Sequence, residues 1–174
     1  MYMGEMVRSI AADLTRKGLL LGGKGSDKLF TPHCFKSAYV SAIESDPEDV
    51  FVETRRSMVE MDLGHADHDD LLAFKLICSR ISTRAAHLVS AAIATVLNKM
   101  KRPHTVVGVD GSVYRYHPHF HDLMDRKILE LTQKEFKFDL MLSEDGSGRG
   151  AALVAAVAVR QIEELREKGL VDGL

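Results

Sequence analysis

The chain has 174 residues, 45% hydrophobic and 28% charged, with Lys+Arg 23 against Asp+Glu 25 for a net charge of -2. This composition predicts a soluble globular unit with a real core. It argues against a nucleic-acid backbone or an anionic membrane as the main partner, because there is no basic excess to hold one.

Two cysteines, Cys34 and Cys78, match no metal or redox spacing. No apolar run reaches the roughly 20 residues of a membrane span. With no disulfide framework and no secretory signal, a reducing, cytoplasmic compartment is the expectation. The chain opens inside a helical pattern with no polar lead-in, which leads us to expect a fragment of a longer protein.

Met3, Met6, Val7, Ile10 and Leu14 recur at helical spacing, predicting a helix over residues 2–17 that ends at Gly18. The Gly-rich turn LLLGGKGSD follows, with Ser26 as the cap of a short helical turn. FKSAYVSAIES, residues 35–45, predicts another helix. Asp46-Pro47 is expected to cap a third, with proline in its first turn, running to about Leu63-Gly64. Residues 67–100 form the longest periodic segment, one helix with a wide apolar face that includes Leu71, Phe74, Ile77, Ile81, Leu88 and Leu97. Lys99, Lys101 and Arg102 complement the dipole at its end, and Pro103 stops it.

The period then changes. HTVVGVDGSVYRY, residues 104–116, reads as two strands joined at Asp110-Gly111, a hairpin signal. Pro118 opens a helix to about Thr132, residues 136–143 read as a third strand, and Gly146 begins the turn into a last helix reaching about Lys168. The prediction is a single α/β unit over residues 1–174, a helical first half followed by β-β-α-β-α.

Gly146, Gly148 and Gly150 stand between that strand and helix, where backbone N–H groups can approach a ligand closely. Gly146-x-Gly148-x-x-Ala151 satisfies a relaxed dinucleotide fingerprint, but the second strand and later acidic residue that it requires do not follow. Arg149-Gly150-Ala151 is not the Gly-Lys-Ser/Thr of a Walker A loop. On spacing alone two readings stay open: a nucleotide seat, or a turn whose glycines and alanines (Ala151, Ala152, Ala155, Ala156) let a helix lie close to a sheet.

Taken together, MYMGEMVRSI, FKSAYVSAIESD, CSRISTRAAHLVSAAIATVLNKM, VVGVDGSVYRYHPHF and LSEDGSGRGAALVAAVAVR resemble, in order and with similar gaps, the C-terminal part of the eukaryotic hexokinase and glucokinase family. The resemblance implies part of an actin-like, ribonuclease-H-like ATPase domain, and a parent enzyme that phosphorylates the 6-hydroxyl of a hexose in the first step of glycolysis. Its Mg²⁺–ATP would sit in a cleft between two lobes that close on sugar binding. Carried over by the GSGRGA match, Gly146, Ser147, Gly148, Arg149, Gly150 and Ala151 fall near the adenosine. Ser37 stands where the family commonly has a threonine reaching the nucleotide, and Ser41 matches a serine beside it.

The departures are informative. Thr31-Pro32-His33-Cys34 replaces a Thr-Arg-Gly turn, and Met1 falls where some members place a lysine near ATP. The family's catalytic aspartate, main sugar contacts, phosphate loops and small domain lie upstream of anything in this chain, so no catalytic residue is assigned. The isolated chain is expected to be inactive and prone to self-association. The alternative is a non-catalytic nucleotide-binding or protein-interaction module with a regulatory role.

Other clusters read as structural. HADHDD, residues 65–70, suits a solvated helix cap better than a metal site, and Asp110 suits a hairpin turn better than a catalytic role. His117, His119 and His121 lack a shared face for one metal. His87 reads as a core or interface residue.

Overall fold

The computed structural model describes residues 2–143 and 146–167; Met1, and with it the family's lysine position, lies outside them. Helix α1 (Met3–Arg16) is followed by a short 3-10 turn and by α2 (Asp27–Phe30), which Ser26 caps by accepting from the Leu29 N–H at 3.1 Å. Helices α3 (Ser37–Ser45), α4 (Val52–Glu60) and α5 (His68–Met100) complete the helical half.

The long α5 is the spine. Its first turn is fixed by a capping box, in which Asp67 accepts from the Asp70 N–H at 2.9 Å and Asp70 accepts from that of Asp67 at 3.2 Å. The other oxygen of Asp70 accepts from the Leu21 N–H at 2.7 Å, so HADHDD is a helix start that also ties down the turn after α1. At the far end Lys101 takes a left-handed conformation and its N–H returns to the Leu97 carbonyl.

Helices α1, α3 and α4 pack on α5. The core between them holds Val7, Leu29, Phe35, Val40, Ile43, Met58, Leu71 and Phe74, with the rings of Phe35 and Phe74 stacked at 6.5 Å. Burying a side chain of this size contributes about 2–3 kcal/mol. The apolar face of α5 is wider than what covers it: Leu72, Leu76, Leu88, Val89 and Val96 remain exposed.

Helix α4 begins later than expected. Residues 46–51 form a loop instead of a Pro-led first turn, and Asp46 caps α4 from outside it. The Asp46 carboxylate accepts from the N–H groups of Glu53 and Thr54, at 3.0 and 2.8 Å, and from the Thr54 hydroxyl at 2.8 Å. Lys75 holds the loop by donating to the carbonyls of Asp46, Pro47 and Val50.

The second half corrects the predicted order. Strand β1 (His104–Val109) leads into a short helix α6 (Ser112–Tyr116) and then α7 (Phe120–Leu131), and only then comes strand β2 (Lys137–Leu142). β1 and β2 pair in parallel from His104 opposite Lys137 to Val109 opposite Leu142. The tail is therefore β-α-α-β-α, a crossover unit with α7 packed on α5. A tight two-residue hairpin of the favoured kind needs positive φ at both central residues, and Asp110 does not have it. Helix α8 (Gly146–Glu167) follows, exposed along residues 151–166. Among the described residues no helix is long and apolar enough to cross a membrane.

Candidate nucleotide site

Ser37 opens α3, and its position is set from α1. Gly4 lies so close to the backbone of residues 35–37 that a Cβ there would stand 2.2 Å from the Phe35 carbonyl oxygen. The Gly4 N–H reaches the Ser37 Oγ at 3.3 Å, which leaves the Ser37 O–H available as a donor. Ser41, one turn later, shares the face. Across an open cleft of about 320 Å³, Ser37, Ala38 and Ser41 face Ser112, Val113 and Tyr116 of α6. That volume is within the range of small-molecule sites. The lining offers hydroxyls, a methyl floor and one aromatic edge, and among the described residues it includes no carboxylate.

The same turn that starts α6 also meets α8. The two parallel strands end together, and the Ser143 N–H continues their ladder to the Val109 carbonyl at 2.9 Å. Asp110-Gly111, which leaves β1, and Gly146 at the start of α8 therefore lie at one carboxyl edge, where open α/β sheets bind ligands. A Cβ on Gly146 would stand 2.6 Å from the Ser143 Oγ and 3.5 Å from an Asp110 carboxylate oxygen. Asp110 thus faces the positive end of α8. A carboxylate there is favourable for the helix and makes that end a poor seat for a phosphate.

Of the residues expected from sequence, Ser37 and Ser41 share one cleft, and Gly146 to Ala151 form the first turn and a half of α8. Segment 110–113 joins the two groups. Ser147, Gly148, Arg149 and Ala151 are exposed, Gly146 and Gly150 half-buried. Close packing explains Gly146. It does not explain Gly150, which has open space where a Cβ would be, nor the exposed alanines 151, 152, 155 and 156. Sequence reasoning missed Ser112, Val113 and Tyr116, because the hairpin assignment turned α6 into a strand. The signal was there: Asp-Gly-Ser after a β-branched run is also how a strand enters a helix.

Next to the cleft lies a buried polar cluster. The imidazole of His117 is fully buried and its Nε2 stands 3.3 Å from the Glu44 carboxylate, itself 7% exposed. Glu44 also faces Cys78 of α5, whose thiol is pushed far up by burial and by that carboxylate, so it stays protonated. His119 reaches the Glu44 carbonyl at 3.1 Å, and His121 pairs with the Tyr114 hydroxyl at 2.5 Å. His117 and His119 thus both meet Glu44, at its carboxylate and at its carbonyl, while His121 pairs with Tyr114, and among the described residues no three His, Cys, Asp or Glu side chains gather as a metal site would.

The architecture is that of an α/β protein with an open cleft beside the carboxyl edge of its parallel strands, and comparison with known proteins names the family. The model of the family described as Hexokinase matches residues 1–157, and the chain belongs to that family. It is 42% identical over 158 residues to a hexokinase of Brugia malayi, covering 91% of this chain and 28% of that protein. It is 40% identical over 166 residues to human Hexokinase-1, covering 92% of this chain and 18% of that protein. The solved hexokinase from Schistosoma mansoni complexed with glucose superposes with a TM-score of 0.85 at 34% identity, over 90% of this chain and 36% of that one. The chain therefore spans about a third or less of the length of these relatives.

Proposed function

We propose that this chain is the C-terminal, ATP-side part of the large, actin-like domain of a cytoplasmic ATP:hexose 6-phosphotransferase, and that it forms the adenosine-side wall of the ATP cleft. The observation that carries this reading is the junction at residues 110–113, which joins the α3 serines to the start of α8 along one carboxyl edge. In this reading Ser37, Ser41 and Ser112 offer hydroxyl donors to the nucleotide, and residues 146–151 flank the adenosine.

Phosphoryl transfer depends on positioning and charge neutralisation. The role of this chain is the first of these. Mg²⁺ would arrive with ATP, where it neutralises phosphate charge; among the described residues the cleft lining holds no carboxylate. The groups that move the hexose proton belong to the rest of the polypeptide, and the isolated chain makes no hexose 6-phosphate. Hexose-dependent, heat-labile ADP production by the pure 174-residue chain overturns that statement.

Ser147→Leu tests the site itself. In a hexokinase polypeptide carrying this segment, the apparent KM for ATP rises by about tenfold while the KM for hexose stays within about twofold, the pattern of lost ground-state contact on one substrate. An unchanged ATP dependence removes the α8 turn from the site.

A further inference from the structure

The two walls of the cleft belong to different parts of the fold. Helix α3 is packed on α1, α4 and α5, whereas α6 is packed on α7. The tripeptide His117-Pro118-His119 leaves α6 and takes hold of a single residue of α3. His117 Nδ1 accepts from the His119 N–H at 3.2 Å, which puts the ring proton of the neutral tautomer on Nε2. That Nε2 stands 3.3 Å from the Glu44 Oε1 without an aligned hydrogen bond, and both atoms are buried with no hydrogen-bond partner, so each is the other's nearest means of compensation in a buried place. His119 holds the same residue by its carbonyl. Glu44 lies one turn beyond Ser41 on α3, and His117 follows Tyr116, so the grip closes on the residues next to the cleft lining.

We propose that Glu44, His117 and His119 form a clasp that sets the separation of α3 from α6, making them positioning residues for the nucleotide. The proposal rests on the nucleotide reading of the cleft. The clasp touches no ligand; it holds Ser37 and Ser41 at a fixed distance from Ser112, and small misplacements of such groups weaken binding.

The test uses the 174-residue chain, a fluorescent N-methylanthraniloyl ADP with Mg²⁺ as the probe, and amide NMR shifts. Glu44→Ala weakens the probe by about tenfold, the equivalent of about 1.4 kcal/mol, and shifts the amides of Ser37, Ser41 and residues 112–116. Glu44→Gln, which keeps an amide oxygen beside His117 and the backbone carbonyl that meets His119, binds within about threefold of the parent chain. Ser90→Ala is the stability control. It removes a buried bond to the Met124 carbonyl, lowers Tm and leaves probe affinity alone.

A Glu44→Ala chain that binds like the parent overturns the clasp, as does a Ser90→Ala chain that weakens binding equally for the same loss of Tm. If the parent chain binds no nucleotide at millimolar probe, the nucleotide reading of the cleft fails instead. The NMR arm then judges the clasp by itself: unmoved amides at residues 112–116 in Glu44→Ala overturn it.

Discussion

Gly4→Ala is the sharpest test of how the helical half positions the cleft. The new methyl would lie 2.2 Å from the Phe35 oxygen, 2.7 Å from the Lys36 carbonyl carbon and 2.8 Å from the Ser37 nitrogen. Ordinary contact begins at 3.4 Å, so α1 and the 35–37 segment must separate by about 1 Å. All three neighbours are backbone atoms, so no rotamer change relieves the clash, and the cost falls at the upper end of overpacking, about 3 kcal/mol. The Gly4–Ser37 hydrogen bond adds about 1 kcal/mol when stretched. Alanine's better helix propensity returns up to about 1 kcal/mol.

The net loss is about 3 kcal/mol, and a domain of this size loses about 2–4 °C of Tm per kcal/mol, so Tm falls by about 6–12 °C. Thermal melts followed by circular dichroism, with urea titrations beside them, measure it. Gly150→Ala, with open space around its Cβ inside α8, melts no lower than the parent chain and up to about 4 °C above it. A Gly4→Ala chain that also melts with the parent refutes the close approach of α1 to the start of α3.

Two more outcomes follow from features outside the cleft. Arg8 clamps Glu5 with bonds of 2.8 and 2.6 Å, and with the His33 N–H this holds the Glu5 carboxyl at about 2, well below its usual 4.5. A depressed carboxyl stabilises the fold above its unfolded value, and that contribution fades as pH falls from about 4.5 to 2. Glu5→Gln therefore costs about 2 kcal/mol at pH 7, after allowance for solvent screening, and almost nothing at pH 2; equal losses at both pH values refute it. Leu153, Val154 and Val157 make an apolar strip on the exposed α8. Light scattering should show concentration-dependent association that Val157→Glu suppresses, and a parent chain that stays monomeric up to about 10 mg/ml counts against this.

Most of the helical half was legible because local and tertiary signals agree there. The apolar period and the Asp67 cap marked α5, and Gly18 and Pro103 marked the helix ends. Asp46 shows a partial reading: the right residue caps α4, but from across a loop that Lys75 organises from a distant helix, which no local pattern reveals. Residues 112–116 went wrong for a physical reason. Val, Tyr and Tyr favour strands, yet Tyr114 is buried beside His121 and His117 beside Glu44, and these contacts override propensity. The partner of β1 lies beyond two helices, and parallel pairing leaves no turn signature next to the strand. Motif matching singled out Ser37, Ser41 and the α8 turn as candidates. Ser112 needed the correct order of elements, and Glu44–His117 needed coordinates.

Cys78 gives this fold an internal clock. Its thiol is sealed at the middle of the spine helix and held protonated, while Cys34 is half-buried near the surface. A thiol reagent meets Cys34 in the native state but reaches Cys78 only when α5 and its neighbours part. The slow phase of labelling therefore reads the opening of the core directly, in the native chain and without denaturant, and any nucleotide that braces α3 against α6 should lengthen it.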